Sequence, residues 1–386
     1  MVLFSVDYTN LVIRRAVTSS VTRRALLALP LAAACTSRRT GFRGYAFIAN
    51  EEGHAVAAVD LEALVVARHI PLDSAPVDVL ALQNTRPFVY ALTPENGSIQ
   101  EIQADRLSFA RKLAVGSQAI SMHLAPDERA MYVLTKEPKA LVRVSLDRFA
   151  VDWKLPLSED PHEFAISADG KMAAVSAGQS VRLVDLAARR LGDPLGPPAN
   201  IGAVRFLSDS RILVAANRGE RLLSIYDVAS SRLITHLPIA VRPDNLCFSN
   251  DGGQLFVTGE GMDGVVIVYP YHTPEVGQTV LAGHAPGAMA ASNEFLFVAS
   301  PQSGDVSILD IATQKVIAVQ NNVGSDPGFI AITPGDQYAL VLNRKSGDVA
   351  VLRVEVEPNR YKERAGKLVT VIPVGSKPVS VAVRGV

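Results

Sequence analysis

Short apolar runs recur along the chain from about residue 44 to its end. Examples are "YAFIAN" (45–50), "MYVLT" (131–135), "LFVTG" (255–259), "LFVAS" (296–300) and "YALVLN" (338–343). Each is too short for a helix and rich in Val, Phe and Tyr. Asp, Asn, Gly and Pro bound them, which is the pattern of short strands joined by tight turns. No interior stretch holds eighteen unbroken apolar residues, so no second membrane span is expected. The pattern predicts an all-β chain.

The runs repeat as a unit. Aligned on the residue before an alternating first strand, the anchors are Pro76, Ala119, Pro161, Ile201, Pro243, Pro286, Pro327 and Pro378. Their spacings are 43, 42, 40, 42, 43, 41 and 51. The last, longer spacing reflects an insertion around "EVEPNRYKERAGK" (Glu355–Lys367), whose basic part, Arg360–Lys367, is expected to be a solvated hairpin extension. After each first strand comes a turn, such as "PDE" (126–128), "ADG" (168–170), "NDG" (250–252) or "PGD" (334–336), and then a second strand. A polar loop follows: "PENGS", "NRGER", "PQSGD" or "RKSGD". The third strand ends in hydrophobic–Asp–hydrophobic: "AVDL", "LVDL", "IYDV", "ILDI". The repeated Asp residues (Asp60, Asp185, Asp227 and Asp310) are expected to serve the turn, because a residue repeated across blades serves the repeat. A fourth strand leads to the next anchor. Four short strands in about 42 residues, in tandem, predict a β-propeller of four-stranded antiparallel blades.

These units resemble the YVTN-type β-propeller repeat. The Pro-led first strand, the "PDG"-like turn, the Tyr/Phe-Val second strand and the "N-x-x-S-G" loop carry the likeness, over about residues 44–386. WD40 is the neighbouring pattern, but the third strands lack its Trp-Asp pair, and the sole Trp, Trp153, falls in a fourth strand. Pro378–Val383 is a first strand with nothing after it, and residues 44–72 hold three strands with no first strand before them. Joined, they make one blade that closes the ring and removes two open sheet edges. Seven full units plus this composite give eight blades. Seven, the commoner number for the resembled family, is the alternative and would need one irregular unit.

Composition adds a leader and a charge balance. "VTRRALLALPLAAAC" (Val21–Cys35) has Arg23 and Arg24 before a ten-residue apolar segment, Ala25–Ala34, and small residues before a Cys. That is an export signal, to be kept apart from the fold. It resembles a bacterial lipoprotein signal with Cys35 as the lipidated, mature N-terminus, although Ala32 stands where that family usually has Leu. "TRRALL" also resembles a twin-arginine signal, so the export route stays open, and the true start could lie near Val21. The expected organisation is a signal at 1–34, a short tether at 35–43 and a single propeller at 44–386. The product is expected in the periplasm or on the outer cell surface, touching membrane only through a lipid on Cys35. The whole chain carries 38 basic and 38 acidic residues. The first 34 residues hold four Arg and one Asp, so the mature part is mildly acidic. Nucleic acid, a ligand of some YVTN-like propellers, is therefore disfavoured. The second cysteine, Cys247 in "NLCFS", reads as a buried thiol. No zinc spacing, CxxCH haem motif or G-x-S-x-G nucleophile context is present. "TGEGMDG" (Thr258–Gly264) joins two strands and so lacks the strand-to-helix context of a phosphate cradle.

In a propeller the first strands line the channel. The second and fourth residues after each anchor should face it, since strand side chains alternate. These positions concentrate polar groups on the units starting at 76, 119, 161, 201 and 243. The candidate ligand-binding set is His123, His162, Glu163, Arg205, Arg242, Asp244 and Asn245. A His beside a carboxylate suits a general base or a metal ligand. An Arg suits a carboxylate or phosphate. Mutual pairing inside a water-filled channel is the plainer reading of all seven. Catalytic residues and cofactor stay unassigned, no metal is expected, and a partner, protein or small molecule, is unidentified. The residues favour a non-enzymatic binding or scaffold protein using the channel-mouth face. The alternative is a periplasmic enzyme, either lactonase-like or a propeller subunit of a quinoprotein or haem-d1-type oxidoreductase, as the resemblance allows.

Overall fold

The computed structural model describes residues 42–197, 199–271, 273–354 and 365–385. The leader, Cys35, His272 and residues 355–364 of the insertion lie outside these. Among the described residues, 32 strands form eight four-stranded antiparallel sheets. No helix there is long and apolar enough to cross a membrane.

The strands are numbered in chain order. Blade 1 has the order β3-β2-β1-β32, with β1 (Gly44–Asn50), β2 (Ala55–Asp60), β3 (Val65–Pro71) and β32 (Pro378–Gly385). Blades 2 to 8 follow in sequence. Their inner strands are β4 (Asp78–Ala81), β8 (Gln118–Leu124), β12 (Pro161–Ile166), β16 (Ile201–Phe206), β20 (Arg242–Phe248), β24 (Met289–Ala291) and β28 (Pro327–Ile332). Each inner strand touches the next, and β32 touches both β28 and β4, so the ring has eight members. The expected closure is present: Val381 pairs with Ile48 and Val383 with Ala46. Trp153 lies in the outer strand of blade 3, as expected.

Each blade buries both faces against its neighbours, which is why its middle strands read as nearly unbroken apolar runs. Eight separate apolar clusters result, one at each blade–blade interface. Between blades 8 and 1, for example, Ile48 and Val59 pack with Leu340 and Val351. Outer strands are mostly exposed.

The repeated Asp residues hold turns. Asp60 Oδ1 accepts from the Glu62 and Ala63 N–H groups at 2.8 and 3.0 Å, and Asp185, Asp227 and Asp310 do the same in their own blades. On that face the turns also stitch blade to blade. Glu128 accepts from the Gln83 and Asn84 N–H groups at 2.9 and 3.0 Å, and Asp336 from the Asn293 N–H at 2.7 Å.

One irregularity repeats. The residue just after the anchor is extra to the ladder: pairing jumps from Pro161 to Glu163, from Pro243 to Asn245, from Pro327 to Phe329 and from Pro378 to Ser380. Such a bulge bends the strand and re-aims the inserted side chain. It puts His162, Asp244 and Gly328 at the rim of the channel, where regular alternation would hide every second side chain.

Candidate functional site

The channel wall is built by inner strands, and most second and fourth residues after the anchors are semi-accessible, although Ala165, Ala203 and Ser380 at such positions are buried. Asp78, Ser121, His123, Glu163, Arg205 and Cys247 are all partly accessible, while Val79, Met122, Phe164, Val204 and Leu246 between them are buried. Glu163 of blade 4 and Arg205 of blade 5 form an ion pair across the blade boundary. Arg205 Nη1 also donates to the Val204 carbonyl at 2.7 Å. His123 of blade 3 stands beside them, its ring edge-on to Phe164 at 4.6 Å between centroids. Burial, and next the Arg205 charge, push the His123 imidazole down to about 4. It is therefore neutral at ordinary pH and a weak base, since a general base works best with a pKa near the working pH. Burial pushes the Cys247 thiol up to about 11, which keeps it protonated and poorly nucleophilic.

Further round the channel, burial raises Asp78 to about 6 against two hydrogen bonds that oppose the rise. Its Oδ1 accepts from Ser380 Oγ at 2.8 Å and from the Val79 N–H at 2.9 Å. Ser380 is on the C-terminal strand, so this contact crosses the ring closure.

The mouth carries a second set of pairs. Arg218, from the loop between the second and third strands of blade 5, pairs with the bulge residue Asp244 at 2.8 Å. Arg242 pairs with Glu260 across the first rung of blade 6 at 3.0 Å, and not with Asp244. Arg242 begins strand β20 instead of preceding it. Arg218 reaches Asp244 because residue 202 is Gly; a Cβ there would lie 2.7 Å from Arg218 Nε. Blade 8 repeats the device with Arg344 over Gly328, donating to its carbonyl at 3.1 Å. His162 and Asn245 are exposed at the same rim.

The seven candidates thus divide between two levels. Glu163, Arg205 and His123 meet inside the channel; Arg242, Asp244, His162 and Asn245 stand at its mouth, with Asp244 and Arg242 held by separate partners. The sequence reading omitted Arg218 and Glu260. Arg218 sits in the loop that follows the second strand of blade 5 and Glu260 ends the second strand of blade 6, and the readable signal for Arg218 was a Gly at the bulge of its own blade. His284, on the loop before the inner strand of blade 7, is paired: its Nδ1 lies 2.9 Å from Asp263 Oδ2, and that hydrogen bond, with the Asp263 charge, raises its pKa. Among the described residues no three His, Cys, Asp or Glu side chains gather as a metal would require.

This arrangement of eight closed four-stranded blades defines an eight-bladed β-propeller. No family profile matches the chain. A curated relative, an uncharacterized WD repeat-containing protein of Synechocystis, is 26% identical over 179 residues, 44% of this chain. That stretch is 49% of the relative, so the chain spans about half the length of the curated protein it matches. Among solved structures, the dihydro-heme d1 dehydrogenase NirN, in complex with DHE, superposes with a TM-score of 0.69 at 12% identity, covering 86% of this chain and 74% of that one. Apo AztD from Citrobacter koseri gives 0.67 at 13% identity, covering 89% and 98%. The β-propeller domain of Cps50 (Swd1) from Myceliophteria thermophila gives 0.53 at 12%, covering 69% and 96%. At these identities the likeness is one of fold.

Proposed function

We propose that this chain is an exported, non-catalytic binding protein built of YVTN-type repeats, tethered through a lipid on Cys35, that holds an acidic partner segment or small anion at the channel mouth over blades 4 to 6. The observation that carries this reading is the state of the mouth pairs. The Arg218 and Asp244 side chains are 48% and 41% exposed, and those of Arg242 and Glu260 are 50% and 73% exposed. Exposed ion pairs are worth about 0–1 kcal/mol, so each Arg can exchange its present carboxylate for a ligand's at little cost. A guanidinium offers a carboxylate or phosphate a planar donor fork. Two titratable groups inside the channel, by contrast, are held in unreactive forms, His123 neutral and the Cys247 thiol protonated.

Native mass spectrometry and absorption spectroscopy of the protein purified from the cells that make it test the reading together. A bound protein or colourless anion, with the mature chain beginning at a lipid-modified Cys35, supports it. A bound chromophore would replace it with a redox reading, and a different mature N-terminus would remove the tether.

A further inference from the structure

We propose that the groove between blades 4 and 5, on the face opposite the channel mouth, binds a short zwitterionic peptide. The cavity has a volume of about 580 Å³, within the range of small-molecule sites. Its apolar lining includes Leu183 and Val228, and its charged lining includes Arg190 and Asp185 from blade 4 and Arg211 and Asp227 from blade 5. Lys171 and Asp169 also line it and answer each other at 3.6 Å.

The two carboxylates do double duty. Asp185 Oδ1 accepts the Ala187 and Ala188 N–H groups at 3.0 and 2.8 Å. Asp227 Oδ1 accepts the Ser230 N–H and hydroxyl at 2.7 and 2.6 Å. In both, Oδ1 holds the turn and Oδ2 has no donor among the described residues. The Ser230 hydrogen bonds, helped by the Arg211 charge, keep Asp227 ionised. Arg190 and Arg211 are exposed and form no ion pair among the described residues. The groove therefore presents two open cations and two open carboxylate oxygens around an apolar lining.

A simple anion meets repulsion from Asp185 and Asp227, and a simple cation meets it from the two Arg. A ligand with both charges satisfies both sets. A peptide of three residues, about 10 Å when extended, carries a carboxylate for a guanidinium fork and an ammonium for the free Asp oxygens. Small apolar side chains suit Leu183 and Val228. Basic residues recur at these places, Arg232 and Lys315 opposite their own Asp as Arg190 is opposite Asp185, but here Arg190 and Arg211 line one cavity with both Asp and form no ion pair among the described residues.

Isothermal titration calorimetry of the full chain with trialanine tests this. Saturable one-site binding is expected. N-acetyl-trialanine amide, which lacks both charges, should bind at least about tenfold more weakly, as should trialanine to the Arg190→Ala/Arg211→Ala double variant, because each charged hydrogen bond contributes a comparable factor. Both Arg are exposed, so circular dichroism of the double variant should match the wild type. Arg68→Ala, on the exposed outer strand of blade 1, should bind trialanine unchanged, which separates this groove from a general loss of surface charge. Absence of saturable heat, equal affinity for the blocked peptide, or equal affinity of the double variant would each overturn the proposal.

Discussion

Replacing Asp78 by Asn tests how the ring closure is held. Asp78 lies in the channel wall of blade 2 and accepts the Ser380 hydroxyl from the closing strand. Burial lifts its pKa from the ordinary 3.8 to about 6. The folded protein therefore binds a proton there more tightly than the unfolded chain does. Folding stability falls as pH rises from about 4 to about 6, and the loss then persists at higher pH. A rise of about two units corresponds to roughly 3 kcal/mol. Asn keeps an acceptor for Ser380 and for the Val79 N–H but never ionises. Asp78→Asn should match the wild type near pH 4 and exceed it by up to about 3 kcal/mol at pH 7 to 8. Urea unfolding of both proteins at half-unit pH steps measures the difference. A difference that does not change with pH would refute the reasoning, as would an Asn variant that is weaker at pH 8.

The closing strand itself can be removed. Deleting residues 379–386 strips the inner strand of blade 1, including Val381 and Val383, each 7% exposed. It also removes a ladder to β1 whose bonds contribute about 1 kcal/mol apiece. The Gln83 Nε2 bond to the Val383 carbonyl, at 2.8 Å, is lost too. Aggregation or a large fall in melting temperature is expected; an unchanged melt would place the strand outside the ring's stability. For His123, proton NMR between pH 5 and 8 should show ring signals that do not titrate, since the group is pushed to about 4; a midpoint near 6.5 would contradict its burial. Cys247, pushed to about 11, should react with iodoacetamide at pH 8 far more slowly in the folded protein than in urea, and equal rates would count against its place in the wall.

Most of the fold was legible because a propeller repeats its instructions. Eight anchors, seven turns between first and second strands and a lone terminal first strand all gave the same answer, and the composite blade follows from counting strands. The level of each site residue was less legible. His162 and Asp244 follow their anchors directly, where simple alternation assigns no rim position, and only the bulge explains their place. Pairing was harder still. Arg242 and Asp244 are two residues apart yet take different partners, because the rung opposite Arg242 is Glu260 and the space over Gly202 admits Arg218. A side chain crossing between blades depends on ring geometry that no local pattern encodes. The groove between blades 4 and 5 was unreadable for the same reason. The leader and Cys35 lie outside the described residues and stay as read from the sequence.

The central claim is that the channel mouth over blades 4 to 6 is the binding face. Its most direct test is a comparison, by native mass spectrometry, of wild type and an Arg218→Glu/Arg242→Glu variant purified side by side from the cells that make the protein. Both positions are exposed, and matching circular dichroism of the two proteins checks that the blades stay intact although the new Glu residues face Asp244 and Glu260. The account predicts a ligand or partner on the wild type that is absent from the variant. The same bound species on both proteins, in the same proportion, would contradict it.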